Sequence, residues 1–228
     1  MLARIAAVEL AGNCPQHPNA SPRPYLGRNA KIEYATKRLV DLASAGQKTI
    51  LFASHPQTLE AIGRQLRAHG HNPVIIHGGI PIAQRTKEMD DRFRFGDATE
   101  MLATFGTTQA GLNIPQANRA ILLNRDWLAK TERQAIGRML RPQQRREVHV
   151  EYLHHPGSID CYQAQMVAMK SAAADAGLDW GTPQEQGLEF LHLDTLLGRF
   201  VEDLGKLLGV KRHEVRDALS NSELCDAL

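Results

Sequence analysis

Cysteine is scarce and odd in number: Cys14, Cys161 and Cys225, spread over 228 residues. That excludes a disulfide framework and points to a reducing compartment, so a cytoplasmic location is expected. No apolar run approaches the ~20 residues that a membrane helix needs. The opening MLARIAAVEL has Arg4, an early Glu9 and no convincing cleavage site. Neither a signal peptide nor a membrane partner is expected. Metal-ligand spacing is missing as well. Cys14 and His17 form a lone C-x-x-H without a second pair, and His154-His155 have no ligand partner in sequence. No metal site is expected.

Neither sign of charge dominates: 27 basic and 25 acidic side chains leave a net +2. With 43% hydrophobic and 23% charged residues, the chain reads as globular. The balance hides a gradient. Residues 1–118 carry 13 basic and 9 acidic groups, 119–150 carry 8 and 3, and 151–228 carry 6 and 13. A short Arg-rich block is thus followed by an acidic tail. Guanidinium forks match phosphate bidentately, so the block suits nucleotide or nucleic acid; a solvated basic face is the plainer alternative.

Residues 1–30 hold a proline- and asparagine-rich stretch without periodicity and read as an extended lead-in. Ile32, Ala35, Leu39 and Leu42 then recur at helical spacing over 31–45, with Gly46 as the stop. KTILFASH (48–55) reads as a buried strand. Residues 57–69 read as a helix through Leu59, Ile62 and Leu66, stopped by Gly70. PVIIHGG (73–79) is a strand, 81–95 a helix with Met89 and Phe93 inward, and EMLATFGT (100–107) a third strand. RAILLNRDW (119–127) is a fourth strand, KTERQAIGRMLR (130–141) a helix and EVHVEYLHH (147–155) a fifth strand. This alternation predicts an α/β fold, a parallel sheet with helices on both faces over 31–157. Residues 158–228 read as a helical C-terminal tail: Ile159–Ala176, a break at Gly181–Gly187, then Leu193–Leu208 and Arg212–Leu219.

Ligands of such sheets sit beyond the carboxyl ends of the strands. Ser54-His55, His77-Gly78-Gly79 and Gly106-Thr107-Thr108 fall there. The sharpest cluster is QAIGRMLR, with Gln134, Gly137, Arg138 and Arg141 on one predicted helix. Arginines three apart share a helical face and can hold a polyphosphate from one side. That is the layout of an arginine finger. Two solvated arginines on a surface helix are the alternative.

Over roughly residues 14–160 the chain resembles the second RecA-like lobe of superfamily-two helicases and translocases, most nearly the SWI/SNF type. KTILFASH resembles motif IV, and VIIHGGIPIAQRTKEMDDRF the strand, Gly pair and helix after it. MLATFGTTQAGLNIPQANRAILLNRDW resembles motif V and its following strand, and QAIGRMLRPQQ resembles motif VI. CPQHP is similar to the Cys-x-His-Pro that precedes this lobe. The resemblance implies that Arg138 and Arg141 reach across a cleft to ATP and Mg²⁺ bound mainly by a first lobe, in cis or in trans. It implies that Gln134 and the Gly111–Asn113 loop sense the nucleotide. It also implies that Ser54, His55, Gly78, Thr104 and Thr107 face a DNA phosphate backbone.

Two motifs depart from the family form. Thr107-Thr108-Gln109 replace Ala-Gly-Gly, which leaves that loop less free to reach positive φ, and Gln143 stands where motif VI has Gly. A P-loop and an acidic strand end are also missing: AGQKT (45–49) lacks the glycine spacing, and EMDD (88–91) falls on a helix. The chain alone is therefore expected not to hydrolyse ATP. The rival expectation is a stand-alone, non-catalytic lobe that binds DNA or regulates a partner. In the tail, DLGKLLGVKRHEVRDAL (203–219) has Arg212, His213 and Arg216 on the second of two helices. It reads either as a docking hairpin or as a helix-turn-helix.

Overall fold

The computed structural model describes residues 29–109, 113–126, 129–155 and 158–178, with 198, 202, 206, 211 and 213 singly. Cys14, His17, Gly111, Trp127, Arg212, Arg216, the break at Gly181–Gly187 and most of the last two expected helices lie outside the described residues. Two compact units divide the chain; one comprises Gly27–Asp126 with Lys130–Leu153, and residues 158–178 belong to the other.

The first unit runs α1 (Ala30–Ser44), β1 (Thr49–Ala53), α2 (Pro56–Ala68), β2 (Val74–Ile76), α3 (Ile82–Glu88), β3 (Glu100–Thr104), β4 (Arg119–Leu122), α4 (Ala129–Gly137) and β5 (His149–Tyr152). Asn29 caps α1 by accepting the Ile32 amide at 3.0 Å. Pro56 starts α2, where its missing N–H costs nothing. Both helices end the same way. Gly46 (φ 68°) and Gly70 (φ 82°) turn into the left-handed region. The next amides, of Gln47 and His71, return to the carbonyls of Leu42 and Leu66 at 2.9 and 3.0 Å.

All five strands are parallel, in the order β2-β3-β1-β4-β5. Alternate residues feed two cores. Ile50, Phe52, Met101, Ala103, Ala120 and Leu122 face the side of Met89, Phe93, Ala135 and Met139. Leu51, Ala53, Leu102, Ile121 and Leu123 face Leu39 of α1 and Leu59, Ile62 and Leu66 of α2. Buried on both faces, β1 and β3 have no polar side, as parallel strands require. The expected α/β sheet is therefore the observed one.

Several boundaries differ from expectation, each for a tertiary reason. The expected helix over 81–95 is α-helical only to Glu88 and widens into a π-helical segment at Met89–Arg94, where Phe95 N donates to Asp90 O at 2.9 Å. The wider turn keeps Met89 and Phe93 buried while Gly96 rests on backbone; a Cβ there would lie 2.4 Å from Asp91 O. Lys48 secures the same turn by donating Nζ to the carbonyls of Phe93 and Gly96. The third strand stops at Thr104 rather than at 107. Phe105 stacks on Phe52, 5.7 Å between ring centroids, and draws the chain into a 3-10 turn, Phe105–Gln109. In the other unit α5 (Ile159–Leu178) follows Ser158, whose Oγ accepts from Asp160 N at 3.2 Å. Among the described residues no helix is long and apolar enough to cross a membrane.

Candidate functional site

The sheet order places β1 beside β4, and their connections leave in opposite directions, β1 toward β2 and β4 toward β5. A crevice opens at such a switch point. Its two walls are joined by one side chain. Asn124, fully buried just after β4, accepts from Ser54 N through Oδ1 at 3.0 Å and donates through Nδ2 to Ser54 Oγ and Arg125 O. Next to it, Glu132 on α4 holds Arg125 with three N–H···O bonds of 2.8, 3.1 and 2.8 Å and accepts the Asp126 amide at 2.8 Å. With Glu132 almost wholly buried, this pairing has to be near-complete to offset the lost hydration of the carboxylate. The Arg125 guanidinium lies 4.5 Å from the centre of the Tyr152 ring. Burial raises the Tyr152 phenol above its ordinary value, and the Glu132 charge adds to the shift.

The other rim residues differ in what they present. His55 ends the β1 side and accepts the Thr58 amide through its carbonyl at 3.2 Å. Gly78 is exposed, with open space around it, beside a turn in which His77 Nδ1 accepts from Gly79 N at 3.2 Å. Thr104 and Thr107 are buried. Thr107 Oγ1 donates to Thr104 O at 2.7 Å, so these hydroxyls shape the turn instead of facing solvent.

The two arginines are placed differently from the sequence expectation. Helix α4 ends at Gly137 and does not continue to 141. Arg138 and Met139 donate their amides to Ala135 O and Ile136 O at 3.2 and 2.9 Å, a tightened last turn, and Arg141 N bonds Met139 O at 3.0 Å. Pro142 has no N–H to give Arg138 O and disfavours helical geometry at Arg141, and Ile114 N donates to the Arg138 carbonyl so freed at 2.9 Å. Arg138 and Arg141 therefore project from a turn, both half-buried, and the shared-helical-face geometry does not apply. The same bond brings Asn113, exposed, next to Arg138. Gln134 is exposed on the last turns of α4. Asn113, Gln134, Arg138 and Arg141 thus form one region, while Ser54, His55 and Gly78 lie on the carboxyl rim of the sheet.

Asn124 and Glu132 are not singled out by the sequence, and Gln144 closes the QAIGRMLRPQQ segment without a role of its own. A lone Asn directly after an apolar strand, LLN, is the available signal for the first, and nothing local marks Glu132. Chemically, the turn offers two guanidiniums, which suit anionic oxygen. Asn113, Gln134, Arg138 and Arg141 bring no carboxylate for Mg²⁺, and among the described residues no group of three His, Cys, Asp or Glu could hold a metal ion.

Comparison with known proteins bears on both regions. Residues 30–143, half of the chain, match the helicase conserved C-terminal domain. The chain is 27% identical over 143 residues to DNA repair and recombination protein RAD54B of Gallus gallus, covering 60% of this chain and 16% of that protein. It is 27% identical over 134 residues to DNA repair and recombination protein RAD54 of Saccharomyces cerevisiae, covering 58% and 15%. Helicase swr1 of Schizosaccharomyces pombe is 27% identical over 121 residues, covering 53% and 9%. The match therefore spans less than a fifth of these relatives. The solved C-terminal part of the Fun30 ATPase domain superposes with a TM-score of 0.61 at 18% identity, covering 80% of this chain and 55% of that one, and shares the fold. The parallel sheet, the four motifs in order and the match over 30–143 make this chain a member of the helicase conserved C-terminal domain family, a C-terminal RecA-like lobe of the SWI/SNF-like kind.

Proposed function

We propose that the chain is the second motor lobe of an ATP-dependent DNA translocase or helicase. In this reading Arg138 and Arg141 act as arginine fingers on a nucleotide held by a first RecA-like lobe, in cis or in trans. Gln134 and the Gly111–Asn113 loop sense that nucleotide. Ser54, His55, Gly78 and the turn shaped by Thr104 and Thr107 meet the DNA backbone. In this reading Mg²⁺ is held by the first lobe, since Asn113, Gln134, Arg138 and Arg141 include no carboxylate to bind it. Nucleotide binding closes the lobes, release opens them, and each cycle shifts the grip on DNA. The relatives named for DNA repair and recombination bring DNA to the reading. In this reading the protein works in a reducing compartment such as the cytoplasm, which the few, widely spaced cysteines support.

The observation that carries the reading is the Ile114 N–Arg138 O bond, which seats the nucleotide-sensing loop against the arginine turn. Two half-buried guanidiniums held on one turn form a phosphate-stabilising arrangement, and phosphoryl transfer depends on such positioned charge. The test is complementation. The chain alone is expected to show negligible DNA-stimulated ATPase, and a cognate first lobe added in trans is expected to restore it. In the restored motor, Arg138→Ala or Arg141→Ala should lower kcat by at least ~10² while DNA affinity changes little. Lysine should replace either arginine poorly, because a point charge lacks the planar fork. Steady turnover by the pure chain refutes the reading. A fall in DNA affinity with kcat kept means the pair grips DNA. A first lobe that restores nothing favours the stand-alone, non-catalytic lobe.

A further inference from the structure

From Asn113 to Ala117 every main-chain carbonyl is occupied. Asn113 O accepts from Arg94 Nη2 at 2.5 Å, Ile114 O from Ala117 N at 3.4 Å and Gln116 O from Arg146 Nη2 at 2.5 Å. The remaining two, Pro115 O and Ala117 O, both accept from the single nitrogen Gln144 Nε2, at 2.9 and 2.7 Å. Gln144 is equally engaged on its other sides. Its backbone N donates to Arg141 O at 2.8 Å, and its Oε1 accepts from Arg146 N at 3.1 Å. With Ile114 N on Arg138 O, the bonds close a ring: loop to Arg138, Arg138 along the chain to Arg141, Arg141 to Gln144, and Gln144 back to the loop. A primary amide carries two N–H donors and an acceptor on one planar group. Lysine has no acceptor, and a glutamate at this place would set a carboxylate against two carbonyl oxygens.

We infer that Gln144 is a positioning residue, which binds the loop after Gly111 and the turn bearing Arg138 and Arg141 into one rigid unit. It touches no nucleotide itself. Its effect is that a displacement of the sensing loop moves the guanidiniums with it. The inference deepens the second-lobe reading and rests on it for its catalytic consequence, while the rigid unit stands independently of that reading.

The test uses the full chain with Gln144→Leu, similar in size but unable to hydrogen-bond, and Gln144→Asn, which keeps the amide one methylene short. Amide hydrogen exchange by NMR is followed at Ile114, with Leu51 and Leu102 in the central strands as controls. Ile114 is expected to exchange at least ~10-fold faster in both variants with the strand amides unchanged. Unchanged Ile114 exchange overturns the inference. So does a uniform acceleration of all amides in both variants, which would make Gln144 a general fold residue. In the complemented motor, Gln144→Leu should lower kcat at least ~10-fold with KM for ATP nearly constant. The double variant with Arg141→Ala should lose no more than Arg141→Ala alone, because the two act as a unit. Additive losses overturn the positioning role. If Arg141→Ala leaves turnover intact while Ile114 exchange still accelerates, the finger reading fails and the rigid unit stands.

Discussion

On one face of the sheet α1 and α2 are unbroken helices, each closed by a glycine at positive φ and packed through aliphatic side chains. On the other face the connections depart from regular geometry three times. A π-helical segment covers Met89–Arg94, a 3-10 turn covers Phe105–Gln109, and α4 stops at Gly137. The same strands feed both faces, so the contrast does not come from the sheet. On the regular face main-chain hydrogen bonds close within each helix, and only side-chain pairs such as Thr36–Gln65 and Arg38–Glu151 reach across. On the irregular face they run between segments distant in sequence, as in Ile114 to Arg138 and Gln144 to Pro115. A face made of local bonds can hold a fold. A face made of cross-bonds holds particular groups in particular places, and every candidate nucleotide residue that the structure describes lies there.

The comparison is broken most directly by cutting one large apolar side chain from each face. Leu66→Ala and Met139→Ala remove fully buried groups and should each cost ~2–5 kcal/mol, read by denaturant unfolding. Only Met139→Ala should also lower the turnover of the complemented motor in protein that remains folded, because it loosens the arginine turn. Equal turnover in both variants would erase the functional distinction between the faces.

The rim offers a smaller effect. Asn124→Ala leaves the Ser54 amide without its acceptor and should cost ~1–3 kcal/mol, and Asn124→Asp should not recover the loss, because it buries a carboxylate against Arg125 O. Smaller still is the Arg38–Glu151 pair, which ties α1 to the edge strand β5 through bonds of 2.6, 3.0 and 3.1 Å. Glu151 raises the Arg38 pKa, chiefly through the hydrogen bond. Both side chains are partly exposed, 35% and 26%, so solvent screens the pair and Arg38→Ala should cost no more than ~1 kcal/mol, falling in high salt.

The smallest effect is a titration. Although Tyr152 is 42% exposed, partial loss of hydration raises its phenol above the ordinary 10.0, with the Glu132 charge adding to the shift. Its contribution to stability is complete below that ordinary value and is lost as pH rises through the raised one. Tyrosinate absorbance should show one late-titrating component that disappears in Tyr152→Phe. If that variant leaves the alkaline curve unchanged in shape, the ring is not shielded as described.

What was legible in the sequence follows the same division between faces. Ile32, Leu39, Leu59 and Leu66 repeat at helical spacing, and Gly46 and Gly70 end those helices by their own backbone freedom, so both were readable from a few neighbouring residues. Arg138 and Arg141 were readable as residue types and as a motif, and Pro142, which leaves Arg138 O without a helical donor, is the local sign that the helix gives out before 141. The group that takes up the freed carbonyl, Ile114 N from the other side of β4, was not legible. The π-helical segment was read as plain helix because Met89 and Phe93, four apart, fit either winding; Gly96 against Asp91 O decides it. Gln144 is legible as the end of the QAIGRMLRPQQ segment, but nothing beside it in sequence names Pro115 or Ala117 as its acceptors.

The strand order has a consequence for synthesis. Central strand β1 pairs only with β3 and β4 among the described residues, and β2 only with β3. A chain leaving the ribosome therefore carries β1 and β2 with no partner for either until Thr104 has emerged. Until then its apolar strands depend on α1 and α2 for cover, and loop closure must come before pairing. Stalled chains ending before Glu100 should be protease-sensitive throughout, and chains extended past Leu122 should acquire protection over β1, β2 and β3 in one step.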